Sequence, residues 1–593
     1  MTAHAPDPLR TVFMKTFSIA WLLAAALFPA LASPASAAPA WRSSLYPENW
    51  TPGFADSDGR FLHDFSYAGY RRGEEPIPDQ AAKTGRLIDA TKPPYGADPT
   101  GARDSTAAIQ SALDAAGEAG GGVVFLPAGT YRVAPPEGAG AALHIRYSNT
   151  VLRGAGPERT FLCNDTWQMR DKHVVRISPP KDIWWFGEAP SGSSSPLVRD
   201  LAGPSRRVPV RDPQKFAPGE RIVLRIDPTP RFIASLGMTG KWDIAGATDG
   251  GKVPKGKSHW LTLLYIRKVV AVEGDELVLD APTRLPLLVA DNARVQKAPA
   301  GVIEEVGVED LAIGMRQHPG TSDERGWEEN DFGKTGTPAW DVHQSHAVAF
   351  GSVENGWLRR VHSYAPEGND PRVHLLSNGV RIGRGRHVTV EACDFRFPQY
   401  RGGGGNGYLF TLHGSENLVV RCHAEGGRHN YDFGTMTSSG NVIHDSVAKD
   451  GLLFSDFHMF LSAANLIDNV TCDGDAFEAT FRPWGGTPMH GVSTAQSVFW
   501  NLNGLRYPPA EVTLGVGPDA KEKPWTRKQV LVLVKQLCDI TIIGTRGPAN
   551  KVSAWPANRE NRVLVEGQGR GDTLEPRSLY LDQLARRTGG GRQ

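Results

Sequence analysis

Residues able to move protons or hold charge are densest between positions 426 and 490. The stretch holds Arg428, His429 and Tyr431, then Lys449 and Asp450, then Asp456 and His458, then Asp473, Asp475 and Glu478, and finally Arg482 and Trp484. Two chemistries suit these types. In the first, His429, Tyr431 or His458 takes or gives a proton while Arg428, Lys449 or Arg482 neutralises an anionic group on the substrate. In the second, two of Asp456, Asp475 and Glu478 act as a carboxylic acid and a carboxylate. Asp450, Asp473 and Asp475 also offer the hard oxygens that suit Ca²⁺. The chain has no contiguous calcium loop, so neither chemistry is read as requiring a cofactor. Trp484, beside Pro483 and Gly485, and Trp327, in the loop 324–330, are the indoles expected to be exposed and to stack on a ligand.

These residues meet only if the chain repeats with their spacing. His429 and His458 are 29 positions apart, and Asp450 and Asp475 are 25 apart. A phrase of matching period runs through the same region. HVTVEAC begins at His387, NLVVRC at Asn417, NVIHDSV at Asn441 and NLIDNV at Asn465, in steps of 30, 24 and 24 residues. GWLRRV begins 31 residues before His387. Each phrase is too short for a helix and too rich in Val, Ile and Leu for a loop. Such a strand cannot bury its apolar face alone, and periods of this length mark stacked repeats. The reading is an all-β solenoid of parallel strands about 4.8 Å apart. Asn417, Asn441 and Asn465 would stack at a turn, bonding along the stack and tolerating left-handed angles.

The N-terminal part carries a second signal. The run YGADPTGARDSTAAIQSALDAAGEAGGGVVFLPAGTYRV starts at Tyr95. It contains a helix over roughly 106–116, capped by Asp104 or Ser105 and ended by Gly120–Gly122. This run resembles the entry and cap of the pectate-lyase-like superfamily of right-handed parallel β-helix proteins. The resemblance implies polysaccharide lyases, glycoside hydrolases, epimerases, transglycosylating enzymes or viral depolymerases. The polygalacturonase-type set of aspartate, Gly-His-Gly and Arg-x-Lys phrases is not found here. A long concave surface suits an extended polymer. The preferred reading is β-elimination on a uronic-acid polysaccharide. The alternatives are a glycoside hydrolase or intramolecular glycosyltransferase using paired carboxylates, and a noncatalytic carbohydrate-binding β-helix.

Composition fits that reading. The chain has 593 residues, with 65 Lys plus Arg against 64 Asp plus Glu, so its charge gives no reason to expect nucleic acid or a membrane as partner. Lys15, the apolar run Phe17–Leu31 and Ala35-Ser36-Ala37 read as an export signal, placing the mature protein outside the cell or in the periplasm. Five well-separated cysteines exclude a disulfide-dense scaffold. The expected organisation is a signal at 1–37, an extended segment at 38–85 and the entry coils at 86–180. An inserted β subdomain or long loops at 181–300, the main β-helix at 301–550 and a tail and cap at 551–593 follow. In the tail, a short helix over 576–587 is expected to cover the last coil. Monomer and homotrimer are both compatible with such a fold.

Overall fold

The computed structural model describes residues 39–589 apart from 182, 184–191, 243–263, 321–325, 484–489, 515–523, 537 and 556–562. The expected export signal, Trp484 and the Gly- and Lys-rich loop near 245–258 lie outside the described residues.

The main body is a parallel β-helix with three sheets. One coil shows the plan: Leu418–Val420 belongs to the first sheet, His423–Glu425 to the second and His429–Phe433 to the third. The next coil repeats it with Val442–His444, Val447–Lys449 and Ser455–Phe457. Every pairing between these coils is parallel and in register, with Leu418 opposite Val442, His423 opposite Val447 and Asp432 opposite Asp456. Alternation along each strand then sorts the side chains. Val419, Ile443, Ile467 and Phe499 enter one continuous core, together with Tyr431, Phe433, Phe457 and Phe477 from the third sheet. The helix Thr106–Glu118 buries Ile109, Ala112, Leu113 and Ala116 against the first coils.

The asparagine ladder forms, with one shift of register. Asn417 Nδ2 donates to Asn441 Oδ1 at 2.9 Å, and Asn441 Nδ2 donates to Asn465 Oδ1 at 2.9 Å. The same oxygens also accept the main-chain N–H groups of Asn417 and Asn441. The residues with left-handed angles are their predecessors, Glu416, Gly440 and Ala464. His387 belongs to that preceding column, because Thr389 pairs with Leu418. A Cβ on Gly440 would run into the Glu416 carboxylate, so this turn position needs glycine.

The C-terminal helix departs from expectation. Leu579–Thr588 lies on the flank of the coils rather than over the last one. The cause is a second apolar face. Leu418, Val442, Leu466 and Val498 point outward from the first sheet, and Leu45, Tyr46, Trp50 and Phe65 of the N-terminal segment cover them together with Leu579. All five cysteines are free.

Between the early and main coils, six strands from Ser194–Pro196 to Arg294–Lys297 form a separate antiparallel sheet with its own core. Its core extends onto Met436, Phe460, Leu461 and Val492, at the turns beside the third sheet. A buried ion cluster fixes the docking. Glu416 pairs with Arg267 at 2.8 Å and with Arg284 at 2.5 Å, and all three side chains are fully buried. Asp280 likewise pairs with Arg386. Removing one member of such a cluster strands its partners in low dielectric. Glu416→Ala is therefore expected to destabilise the protein by about 3–5 kcal/mol. A denaturant melt checks this, and an unchanged midpoint would contradict it.

Candidate active site

The third sheet builds the site because its outward residues stack coil upon coil. Arg381 pairs with Thr411, Thr411 with Asp432, Asp432 with Asp456 and Asp456 with Glu478. This column forms part of the floor of a cleft of about 1110 Å³, where Arg381, Asp432, Glu478 and Thr411 meet Tyr408, His429 and His458 from neighbouring positions.

Asp456 is the hub. Its Oδ2 accepts from His458 Nδ1 at 2.9 Å, lies 3.4 Å from His429 Nδ1 and pairs with Arg482. Burial opposes its charge, but His429, Arg482 and His458 outweigh burial and keep it ionised, below the usual carboxylate range. Burial, and then the ionised Asp456 beside it, hold the Asp432 carboxyl well above that range. Two adjacent buried acids thus divide into one charged and one protonated group. Arg482 also holds Glu478 at 2.7 Å. Burial nevertheless raises the Glu478 carboxyl, with Asp456 adding to the effect.

The histidines differ in use. His429 donates from Nδ1 to the Phe454 carbonyl at 2.6 Å, and burial lowers its pKa to about 3. His458 has 17% side-chain exposure and is oriented by Asp456 through Nδ1. Burial lowers its pKa below 6.5 while Asp456 works against that shift. The Tyr408 hydroxyl stands 3.2 Å from His458 Nε2. Burial, then Asp456 and Asp432, push the Tyr408 phenol well above its usual range, so it remains a proton donor. The Tyr408 hydroxyl, 3.2 Å from Nε2 and 3.3 Å from Nδ1, and the Asp456 carboxylate thus both contact one imidazole, that of His458.

The residues expected from sequence divide. His429, Asp456, His458, Glu478, Arg428 and Arg482 come together, though Arg428 is engaged with Glu329 at 2.6 Å. Tyr431 does not join them. Its ring is fully buried between Phe410 and Phe477, and its hydroxyl donates to Val447 O at 3.0 Å. Asp475 is also turned inward, accepting from Asn430, Ser455 and the Ala476 N–H. Lys449 pairs with Glu425 on the second sheet. Of the acids expected to gather around Ca²⁺, Asp450 and Asp473 do meet, but around the Arg506 guanidinium, and Asp475 does not join them. The group that could hold a metal ion here is His429, Asp456 and His458. Trp327 is 2% exposed, packed against His318 and Tyr400, because its loop folds back onto the coil.

Sequence reasoning missed Tyr408, His413, Asp432 and Arg381. Asp432 carried a readable signal, since it precedes Asp456 by the same 24 positions that separate Asn417 from Asn441. Arg381 is exposed in the cleft and has no carboxylate within ion-pair distance among the described residues.

The family model described as Rhamnogalacturonase A/epimerase, pectate lyase-like, matches residues 93–188. Mannuronan C5-epimerase AlgE3 of Azotobacter vinelandii is 44% identical over 95 residues, which are 16% of this chain and 5% of that protein. Alginate lyase 7 of the same organism is 41% identical over 83 residues, 14% of this chain and 10% of that protein. The chain thus spans a tenth or less of the length of these two relatives. Among solved structures, the A-module of AlgE6 from A. vinelandii overlaps 81% of this chain and 75% of its own at a TM-score of 0.31 and 14% identity. The tailspike gp61 of Pseudomonas phage phi297 overlaps 81% and 72% at a TM-score of 0.38 and 11% identity. The stacked coils are those of a parallel β-helix, and within the chain residues 93–188 are similar to the pectate lyase-like family model.

The depressed pKa of His458 sets a pH dependence for any reaction in which it is the base. It is neutral, and able to accept a proton, above its own pKa. The acid limb of kcat/KM is expected below pH 6.5. A pH–rate profile checks this, and an acid limb above pH 7 would remove His458 from that role.

Proposed function

We propose that the protein is a polysaccharide lyase that acts on a uronic-acid polymer by removing the proton at C5. The observation that carries this reading is His458, in contact with Tyr408 and Asp456, in the same cleft as Arg381, which has no carboxylate partner among the described residues. Removal of a proton beside a carboxylate leaves negative charge on that carboxylate. Arg381 is the group to neutralise it, aided by the protonated Asp432. His458, oriented by Asp456, accepts the C5 proton at Nε2. The electron pair forms the C4–C5 double bond as the C4–O bond breaks, and Tyr408 donates its proton to the departing oxygen. His458 then returns a proton to Tyr408 across their 3.2 Å contact. Acid and base are adjacent, so both act on one face of the sugar.

The relatives named as mannuronan C5-epimerases and alginate lyase support a uronate substrate. Epimerisation is the second reading, because it shares the first step. It differs in that the C5 position is reprotonated from the opposite face and no bond to O4 breaks. Hydrolysis is less well served, since Asp475 faces inward and Arg482 ties Asp456 to Glu478. We further place the mature protein in the periplasm or outside the cell, on the apolar run Phe17–Leu31 and the Ala-Ser-Ala that follows.

A panel of uronic-acid polymers tests the activity. Elimination yields a band near about 235 nm together with new reducing ends, and Tyr408→Phe should lower kcat by about 10²–10⁴-fold. New reducing ends without the band would overturn the proposal in favour of hydrolysis. Solvent deuterium appearing at C5 with neither signal would identify epimerisation.

A further inference from the structure

A second cavity, of about 330 Å³, lies close to the cleft. The segment 399–405 borders both, with Gln399 and Arg401 facing the second cavity and Gly403–Gly405 the first. Nothing in the proposed reaction uses it. Its walls include Trp327, Arg372, Phe397 and Arg401, and its volume is at the low end for ligand pockets.

The lining is rich in donors that lack acceptors. Arg372 is exposed, with its guanidinium 5.1 Å from the Phe397 ring centre. Among the described residues Arg401 is held by the Gly426 carbonyl, at 3.2 Å. Neither guanidinium has a carboxylate within ion-pair distance among the described residues. Burial, then the charges of Arg372 and Arg428, lower the Arg401 pKa, so the cluster is short of negative charge. Asp370, the one acid of the lining among the described residues, accepts the Arg372 main-chain N–H at 2.7 Å. Trp327 is 2% exposed, and its indole N–H has no hydrogen-bond partner. Two guanidiniums can only donate, so they call for an anion with several acceptor oxygens. The Phe397 ring adds an apolar surface, which suits a sugar carrying a carboxylate.

We propose that this cavity is a second, noncatalytic subsite that binds a uronate residue of the polysaccharide. The identity of the ligand rests on the function proposed above. A subsite beside the cleft would raise the local concentration of a long chain without acting on it. Short oligomers, unable to reach both sites at once, would gain nothing from it.

The full protein carrying Asp456→Asn, which stops turnover, is titrated calorimetrically with oligomannuronate, oligogalacturonate, free glucuronate and inorganic phosphate. Two binding events are expected with at least one oligo-uronate. Adding Arg372→Ala should weaken one event by about tenfold or more. In the otherwise wild-type protein, Arg372→Ala should raise KM for the polymer while leaving kcat on short oligomers unchanged. A single event, or two events indifferent to Arg372→Ala, would overturn the subsite. Phosphate binding as tightly as glucuronate, with the same dependence on Arg372, would also overturn it, leaving a plain anion site. Arg372-dependent sugar binding without wild-type turnover of any uronate polymer would support the subsite and refute the catalytic reading.

Discussion

The coils and the cleft they carry depend on parallel strands pairing in register at about 4.8 Å. A shift of one residue on any coil would turn its inward column outward. Register is held by the core, where Val419, Ile443 and Ile467 superimpose, and by the asparagine ladder, where each amide joins two coils. The same constraint lines up Arg381, Asp432, Asp456 and Glu478 on the outside. Functional groups far apart in sequence become neighbours without any specialised loop.

Stacking carboxylates so closely has an electrostatic cost, and the structure answers it locally. Asp456 keeps its charge because two imidazoles and Arg482 surround it, whereas Asp432 keeps its proton. That division supplies both an orienting anion and a neutral acid in one cleft. The inserted sheet is fixed by a comparable device, in which Glu416 holds two buried guanidiniums. Its partner position at Gly440 leaves room for that carboxylate. The turns beside the cleft and the docking of the insertion are thereby linked.

Much of the scaffold was legible because the repeats at Asn417, Asn441 and Asn465 have equal length and equal chemistry. Parity within HNYDF was legible too: Tyr431 is two residues from Phe433 and so shares its inward face. Reading residue type without parity put Tyr431 at the surface. Tyr408 and Arg381 were harder to find. They lie on coils whose loops differ in length, including the glycine run 402–405, so no fixed period leads to them from His429. Trp327 shows another limit, since no spacing reveals that its loop folds back onto Tyr400. The flanking position of the last helix followed from the outward Leu418, Val442 and Leu466, whose alternation with inward residues was visible but was assigned to one core.

The central claim is that the outward column of the third sheet is the track along which a uronate chain is held for proton removal. The most direct measurement is a crystal structure of the full protein carrying Tyr408→Phe with a bound oligo-uronate. The account predicts one sugar carboxylate against Arg381 and the C5 hydrogen of that residue facing His458 Nε2. A chain bound elsewhere, or one in the cleft with its carboxylate away from Arg381 and its C5 turned from His458, would contradict it.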